Sequence, residues 1–190
     1  MRIKINIRQA QDSKNDCDFI FSLSNDPLVR SNSFNTKPIE YADHCKWFEK
    51  AVADKNTLFF LVFAEKIEKD FVGQICFNRV SESSTECVIS LSITEKFRGK
   101  HIAGEFIELG IEELKKNWHN IETVVAEVKD ENVASNAMFL RKGFELFSKV
   151  NTYKLNVLMC VWWRVTLYNI KSYNCCFCKY SHVTSFKEVA

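Results

Sequence analysis

Two prolines and five glycines in 190 residues leave little material for linkers, and no Pro-, Gly- or Ser-rich stretch divides the chain. A chain of this length forms one domain with a full core. Scarce glycine also removes two nucleotide-binding patterns. There is no three-glycine dinucleotide fingerprint and no Gly-Lys-Ser/Thr of a P-loop. The nearest approach to a long apolar run, "NVLMCVWWRVTLYNI" at 156–170, is shorter than a membrane helix of roughly 18 apolar residues and carries Arg164. Net charge is only +2, so no whole-protein field recruits nucleic acid. The opening "MRIKINIRQAQDSKND" lacks the apolar core of a secretory leader. With eight cysteines and no such leader, free thiols and a cytoplasmic location are expected.

What is present is the patterning of a mixed α/β domain. "KINIRQ" at 4–9 alternates with period two and reads as a strand. Asp12, Ser13 and Asp16 offer caps to a helix through "CDFIFSLSND", which Asn25, Asp26 and Pro27 are expected to break. "PIEYADHCKWFEKAV" is a second helix, with Tyr41, Cys45, Phe48 and Val52 about one turn apart. Strands at 57–65, 70–80 and 86–93, joined by short polar turns, form an antiparallel meander. A helix then carries Phe106, Ile107, Ile111 and Leu114 inward, and "TVVAEV" at 123–128 is a buried strand. In "NVASNAMFLRKGF", Asn132 caps a short helix and Gly143 takes the left-handed position after it. Two further strands follow. The apolar pattern ends near residue 170, so 1–168 is expected to be the domain and 169–190 an appendage.

"FRGKHIAG" at 97–104 stands between the end of the meander and a helix. The first amides of a helix are unpaired and meet the positive end of its dipole, so they suit phosphate. Gly99 allows close approach, and Arg98 and Lys100 are cations. The plain alternative is a basic loop capping a surface helix. Location narrows the choice, because a buried strand and a second capped helix come afterwards.

These residues resemble the GNAT superfamily of acyl-CoA-dependent N-acetyltransferases. The family pattern Arg/Gln-x-x-Gly-x-Gly/Ala falls on Arg98, Gly99, Lys100, His101, Ile102 and Ala103, with His101 at a usual glycine position. A second pattern falls on Asn132, Ser135, Phe139, Gly143 and Phe144. The resemblance implies a mostly antiparallel sheet flanked by helices, whose splayed strands form an acyl-CoA groove, with acetyl-CoA as co-substrate. It implies that 98–103 cradle the CoA pyrophosphate, that Asn132, Ser135 and Phe139 line the outer groove, and that amides near Leu91, Ser92 and Ile93 meet the thioester. Because φ is negative in a helix's first turn, His101 is expected to be tolerated there. The amino-terminal half resembles a branch acting on nucleotide-linked amino-sugars, nearest the pseudaminic-acid pathway, through Asn25-Asp26-Pro27, Arg30, Ser33-Phe34, His44, Trp47-Phe48 and Gly73-Gln74.

Acetyl transfer needs a neutral amine, a polarised carbonyl and a proton for the departing thiolate. Glu127 and His44 are the candidate bases, each with a structural alternative. Phe139 stands where many relatives place a proton-donating tyrosine, which leaves Ser135 or water as the donor. Arg30, His44, Trp47, Gln74 and Ser90 are the expected acceptor contacts, Arg30 gripping a UDP diphosphate. "CCFCKYSH" near the carboxy terminus lacks a second cysteine pair, so no metal site is expected. The acceptor is expected to be a UDP-linked amino-sugar. A protein N-terminus, an antibiotic or a non-catalytic CoA sensor are the competing readings. Oligomeric state is left open, a homodimer among the options, and neither membrane nor nucleic acid is an expected partner.

Overall fold

The computed structural model describes residues 3–64, 70–148 and 152–157. The expected appendage 169–190, the eleven residues before it, and the apolar stretch after Val157 lie outside the described residues. In chain order the elements are β1 (Ile5–Gln9), α1 (Lys14–Ser24), α2 (Pro27–Asn32), α3 (Tyr41–Ala53), β2 (Thr57–Ala64), β3 (Phe71–Asn78), β4 (Glu86–Ile93), α4 (Ala103–Asn117), β5 (Thr123–Glu127), α5 (Val133–Arg141), β6 (Glu145–Ser148) and β7 (Thr152–Asn156). They build a seven-stranded sheet in the order β1-β2-β3-β4-β5-β7-β6. All neighbours are antiparallel except β4 and β5. The expected mixed, mostly antiparallel sheet is present. No helix among the described residues is long and apolar enough to cross a membrane.

Strand periodicity assigns each face its cover. On one face Phe59, Leu61, Phe63 and Cys76 pack with Ile20 of α1 and Phe48 of α3. On the other, Ile75 and Phe77 meet α4 so closely that a Cβ at Gly110 would lie 2.4 Å from Ile75 Cδ1. At Gly73 a Cβ would fall 2.2 Å from the Ser92 carbonyl oxygen and 2.9 Å from the Phe106 ring. Glycine at these positions therefore sets how near α4 and β4 approach the sheet's centre. Cys17, Cys76 and Cys87 are buried and unbridged, as the sequence suggests, with burial pushing the Cys76 and Cys87 thiols up to about 12.

Helix α1 starts where its cap predicts, Ser13 Oγ accepting the Asp16 amide at 3.3 Å. Asp16 is almost fully buried, and Arg8 of β1 grips its carboxylate through two 2.7 Å hydrogen bonds. Helix α1 breaks where expected, ending at Ser24 with Asn25 as its C-cap, but Asp26-Pro27 also starts a further helix that the sequence reading did not foresee. Asp26 accepts from the amides of Leu28 and Val29 at 3.0 and 3.1 Å, and Pro27 occupies the first turn, where its missing N–H costs nothing.

The sheet opens between β4 and β5. Their parallel ladder runs from Glu86↔Thr123 to Ile89↔Ala126 and ends there. Residues 90–93 of β4 continue paired only to β3, while Glu127 of β5 pairs with β7. The strands thus diverge toward the helix-bearing turns that follow each of them.

Candidate active site

At the mouth of this split, residues 99–104 donate their backbone amides to no acceptor among the described residues. The flanking amides are occupied, Arg98 bonding the Glu95 carbonyl and Glu105 the Ile102 carbonyl. Two residues here have left-handed backbone, Gly99 at φ 71° and His101 at φ 58°. Such alternation turns successive N–H groups into a concave anion cradle. A Cβ at Gly99 would touch nothing within 4 Å, so the glycine answers to φ and leaves open space in front of the amides. His101 corrects the expected geometry. It precedes α4, which starts at Ala103, and it adopts the conformation that makes glycine the usual choice.

Arg98 is also placed differently from its expected role as a phosphate cation. Its Nε donates to the Ile93 carbonyl at 2.9 Å, and Nη2 lies 2.7 Å from Asp26 Oδ1. Burial opposes charge on Asp26, but Arg98 and the two capping amides outweigh it and hold the carboxyl below its usual range. Arg98 therefore fixes the turn to β4 and to the start of α2 while its backbone leads into the free amides. Lys100 stands exposed with its ammonium 4.9 Å from the Phe97 ring centre. On the opposite limb, Lys129 Nζ bonds the Ser31 carbonyl at 2.8 Å. Helix α2 is thus tied to both limbs of the split, a feature the sequence reading missed although Asp-Pro is a helix-start signal.

Strand parity places Ser90, Ser92 and Glu127 on one face, since Val88 pairs with Val125. Glu127 is exposed at the end of β5, beside the split. Leu91 and Ile93 point to the α4 face, and the unpaired edge of 90–93 offers amides to the gap. Asn132 caps α5, its Oδ1 accepting the Ser135 amide at 3.2 Å. Phe139 is buried against Phe144 and Tyr153, with ring centres 4.9 and 6.1 Å away. It anchors α5 and presents almost no surface, so the expected contact with the cofactor is corrected to packing.

Beside β3 and β4, on the α1/α3 face, lies a cavity of about 500 Å³. Trp47, Gln74 and Ser90, three expected acceptor residues, all line it, joined by Lys50, Asp54 and Asn78. Trp47 is half exposed, and Gln74 Oε1 is buried with no partner among the described residues. Lys50, Asp54 and Asn78 carry no motif signal. The cavity reveals them only because α3 and β3 bring them together.

Two expected acceptor residues do not line it. His44 is 2% exposed, its Nε2 sits 3.0 Å from the Cys17 carbonyl oxygen, and Phe21, Trp47 and Phe48 surround its ring. The carbonyl requires the proton on Nε2, and burial pushes the imidazole pKa down against the smaller pull of Cys17 and Asp18. It is a neutral core histidine, and its expected roles as base and acceptor contact are withdrawn. Arg30 donates to the carbonyls of Asn35 and Lys37 and to Ser33 Oγ, so its guanidinium holds the loop after α2. The expected grip on a diphosphate is replaced by this loop contact.

A split parallel strand pair, a cradle of free amides and an adjoining polar cavity fit a thioester carrier bearing phosphates. The family model described as an acetyltransferase (GNAT) domain matches residues 4–145. No significant match was found among curated proteins. Among solved structures, the spermidine N-acetyltransferase of Vibrio cholerae in complex with CoA and spermine has a TM-score of 0.70 at 17% identity, covering 81% of this chain and 96% of its own. An N-acetyltransferase from Staphylococcus aureus Mu50 gives 0.67 at 20%, covering 81% and 99%. The Salmonella typhimurium protein yncA, solved with its cofactor acetyl-CoA, gives 0.65 at 16%, covering 81% and 94%. The chain belongs to the GNAT acetyltransferase family, as an enzyme that uses acetyl-CoA.

Proposed function

We propose that the acceptor is an amino-sugar, most specifically a UDP-linked amino-deoxy-sugar whose 4-amino group attacks acetyl-CoA's thioester directly in a ternary complex. The observation that supports this is the cavity's lining. A half-exposed indole beside Gln74, Asn78, Ser90 and Thr57 offers a stacking face and neutral hydrogen-bonding groups. That is the chemistry of a hydroxylated ring. A polyamine such as the spermine in the Vibrio cholerae complex carries several ammonium groups, which a site must pair with carboxylates. The lining here has Asp54 alone, accompanied by Lys50. With Arg30 committed to its loop, Lys50 is the cation available for a diphosphate.

The amine nitrogen attacks the thioester carbonyl carbon and the C–S bond breaks, CoA leaving as thiolate. Amides on the free edge of residues 90–93 stabilise the carbonyl oxygen. Glu127 takes the amine's proton through water, and Ser135 or water returns one to the thiolate, since Phe139 has none to give. Alignment by the cradle and the cavity supplies much of the acceleration. A thiol-release assay tests the reading. With acetyl-CoA present, the UDP-linked 4-amino-sugar should give a higher kcat/KM than spermine or an N-terminal peptide, and Lys50→Ala should raise KM for the UDP-linked sugar. A preference for spermine or peptide would overturn it, and no turnover with any amine would favour the CoA-sensor alternative.

A further inference from the structure

Lys142, at the carboxy end of α5, crosses the first turn of α4. A Cβ built at Gly104 would lie 2.1 Å from Lys142 Cε and 2.8 Å from its Nζ. The chain can cross there only because residue 104 has no side chain. Nζ ends 2.6 Å from Glu108 Oε1, one helical turn further along the same face. The two motifs that carry the family resemblance are thereby joined by one side chain.

This placement runs against local electrostatics. An ammonium over the first turn of a helix faces the positive end of its dipole, and the amides of Ala103 and Gly104 in that turn donate to no carbonyl among the described residues. Lys100 adds a second positive charge in the same turn. Glu108 offsets this, but its own side chain is 52% exposed and that of Lys142 29%, so the pair is partly screened by solvent and weakened. A phosphate in the cradle would present a stronger, charge-assisted partner within the reach of a rotamer change. Arg98 cannot serve in its place, being held by Asp26 and the Ile93 carbonyl.

We propose that Lys142 is a phosphate ligand of acetyl-CoA, held on Glu108 in the free protein and transferred to the cofactor when it binds. Gly104 provides the passage, and Glu108 keeps the ammonium poised beside the cradle. The proposal rests on CoA occupying residues 99–104 and is independent of the acceptor's identity.

Isothermal titration of the full chain with CoA and with 3′-dephospho-CoA tests it, comparing wild type with Lys142→Met and Glu108→Gln. Both variants break the same ion pair, so a purely structural link would affect both alike. The expected result is that Lys142→Met weakens CoA binding about tenfold, whereas Glu108→Gln binds as tightly as wild type or more tightly. An equal loss for dephospho-CoA assigns the contact to the pyrophosphate, and a loss confined to CoA assigns it to the 3′-phosphate. Unchanged affinity in Lys142→Met, or equal weakening in both variants, would overturn the assignment of Lys142. A wild-type chain that binds no CoA would overturn the cradle reading itself.

Discussion

His101 shows how much one backbone angle can alter a residue's meaning. Its φ of 58° puts an imidazole-bearing residue in the left-handed region, at a cost of about 1 kcal/mol. Replacing it with glycine removes that strain but adds freedom to the unfolded chain, worth about 0.5–1 kcal/mol. His101→Gly should therefore change stability by less than about 0.5 kcal/mol and keep or improve acetyl-CoA affinity, as melts and titration would show. A large affinity loss would make the imidazole a ligand. His44 gives a second residue-scale prediction. Its imidazole resists protonation in the fold, whereas the unfolded one takes a proton below about pH 6.5. Stability is thus full above that pH and falls as pH drops below it. Wild-type Tm should decline between pH 7 and 5.5, and His44→Gln, which can still donate to the Cys17 carbonyl, should flatten the decline. The burial of His44 was legible in principle, because 44 and 48 share an inward face. Nearness in sequence to Trp47 drew it toward the acceptor instead. Arg30 gave no such signal, since its partners, two carbonyls and the Ser33 hydroxyl, are brought to it only by the folded loop.

At the scale of elements, the turn after β4 is held in place from α2. Asp26 caps that helix and pairs with Arg98 in the same carboxylate. Asp26→Asn keeps a capping oxygen but loses the charge, so about 1 kcal/mol of stability should go, with acetyl-CoA affinity falling several-fold in a titration. Unchanged affinity would mean the Ile93 carbonyl alone positions Arg98. Gly73→Ala probes the opposite face. Its Cβ would meet backbone oxygen at 2.2 Å, forcing β3, β4 and α4 apart at about 3 kcal/mol, measured by denaturant unfolding. Element order was largely readable, because strand alternation and caps are local properties. Helix α2 was missed because Asn-Asp-Pro both ends one helix and starts another, and propensity alone does not separate the two. The close approach at Gly73 depends on α4, far along the chain, and could not be read locally.

Across the whole molecule, the split between β4 and β5 ties sequence to chemistry. It places a cradle of amides at one mouth and Trp47, Gln74 and Ser90 in a cavity on one face. The cradle was readable because turn, helix and following strand are contiguous in sequence. The cavity was readable only in part, since α3 supplies Lys50 and Asp54 by packing rather than by motif. Hydrogen exchange of the backbone amides, with and without CoA, tests the cradle most directly. Residues 99–104 should exchange fast in the free protein and become protected on binding, ahead of the rest of α4. CoA binding that leaves those amides unprotected would contradict the account.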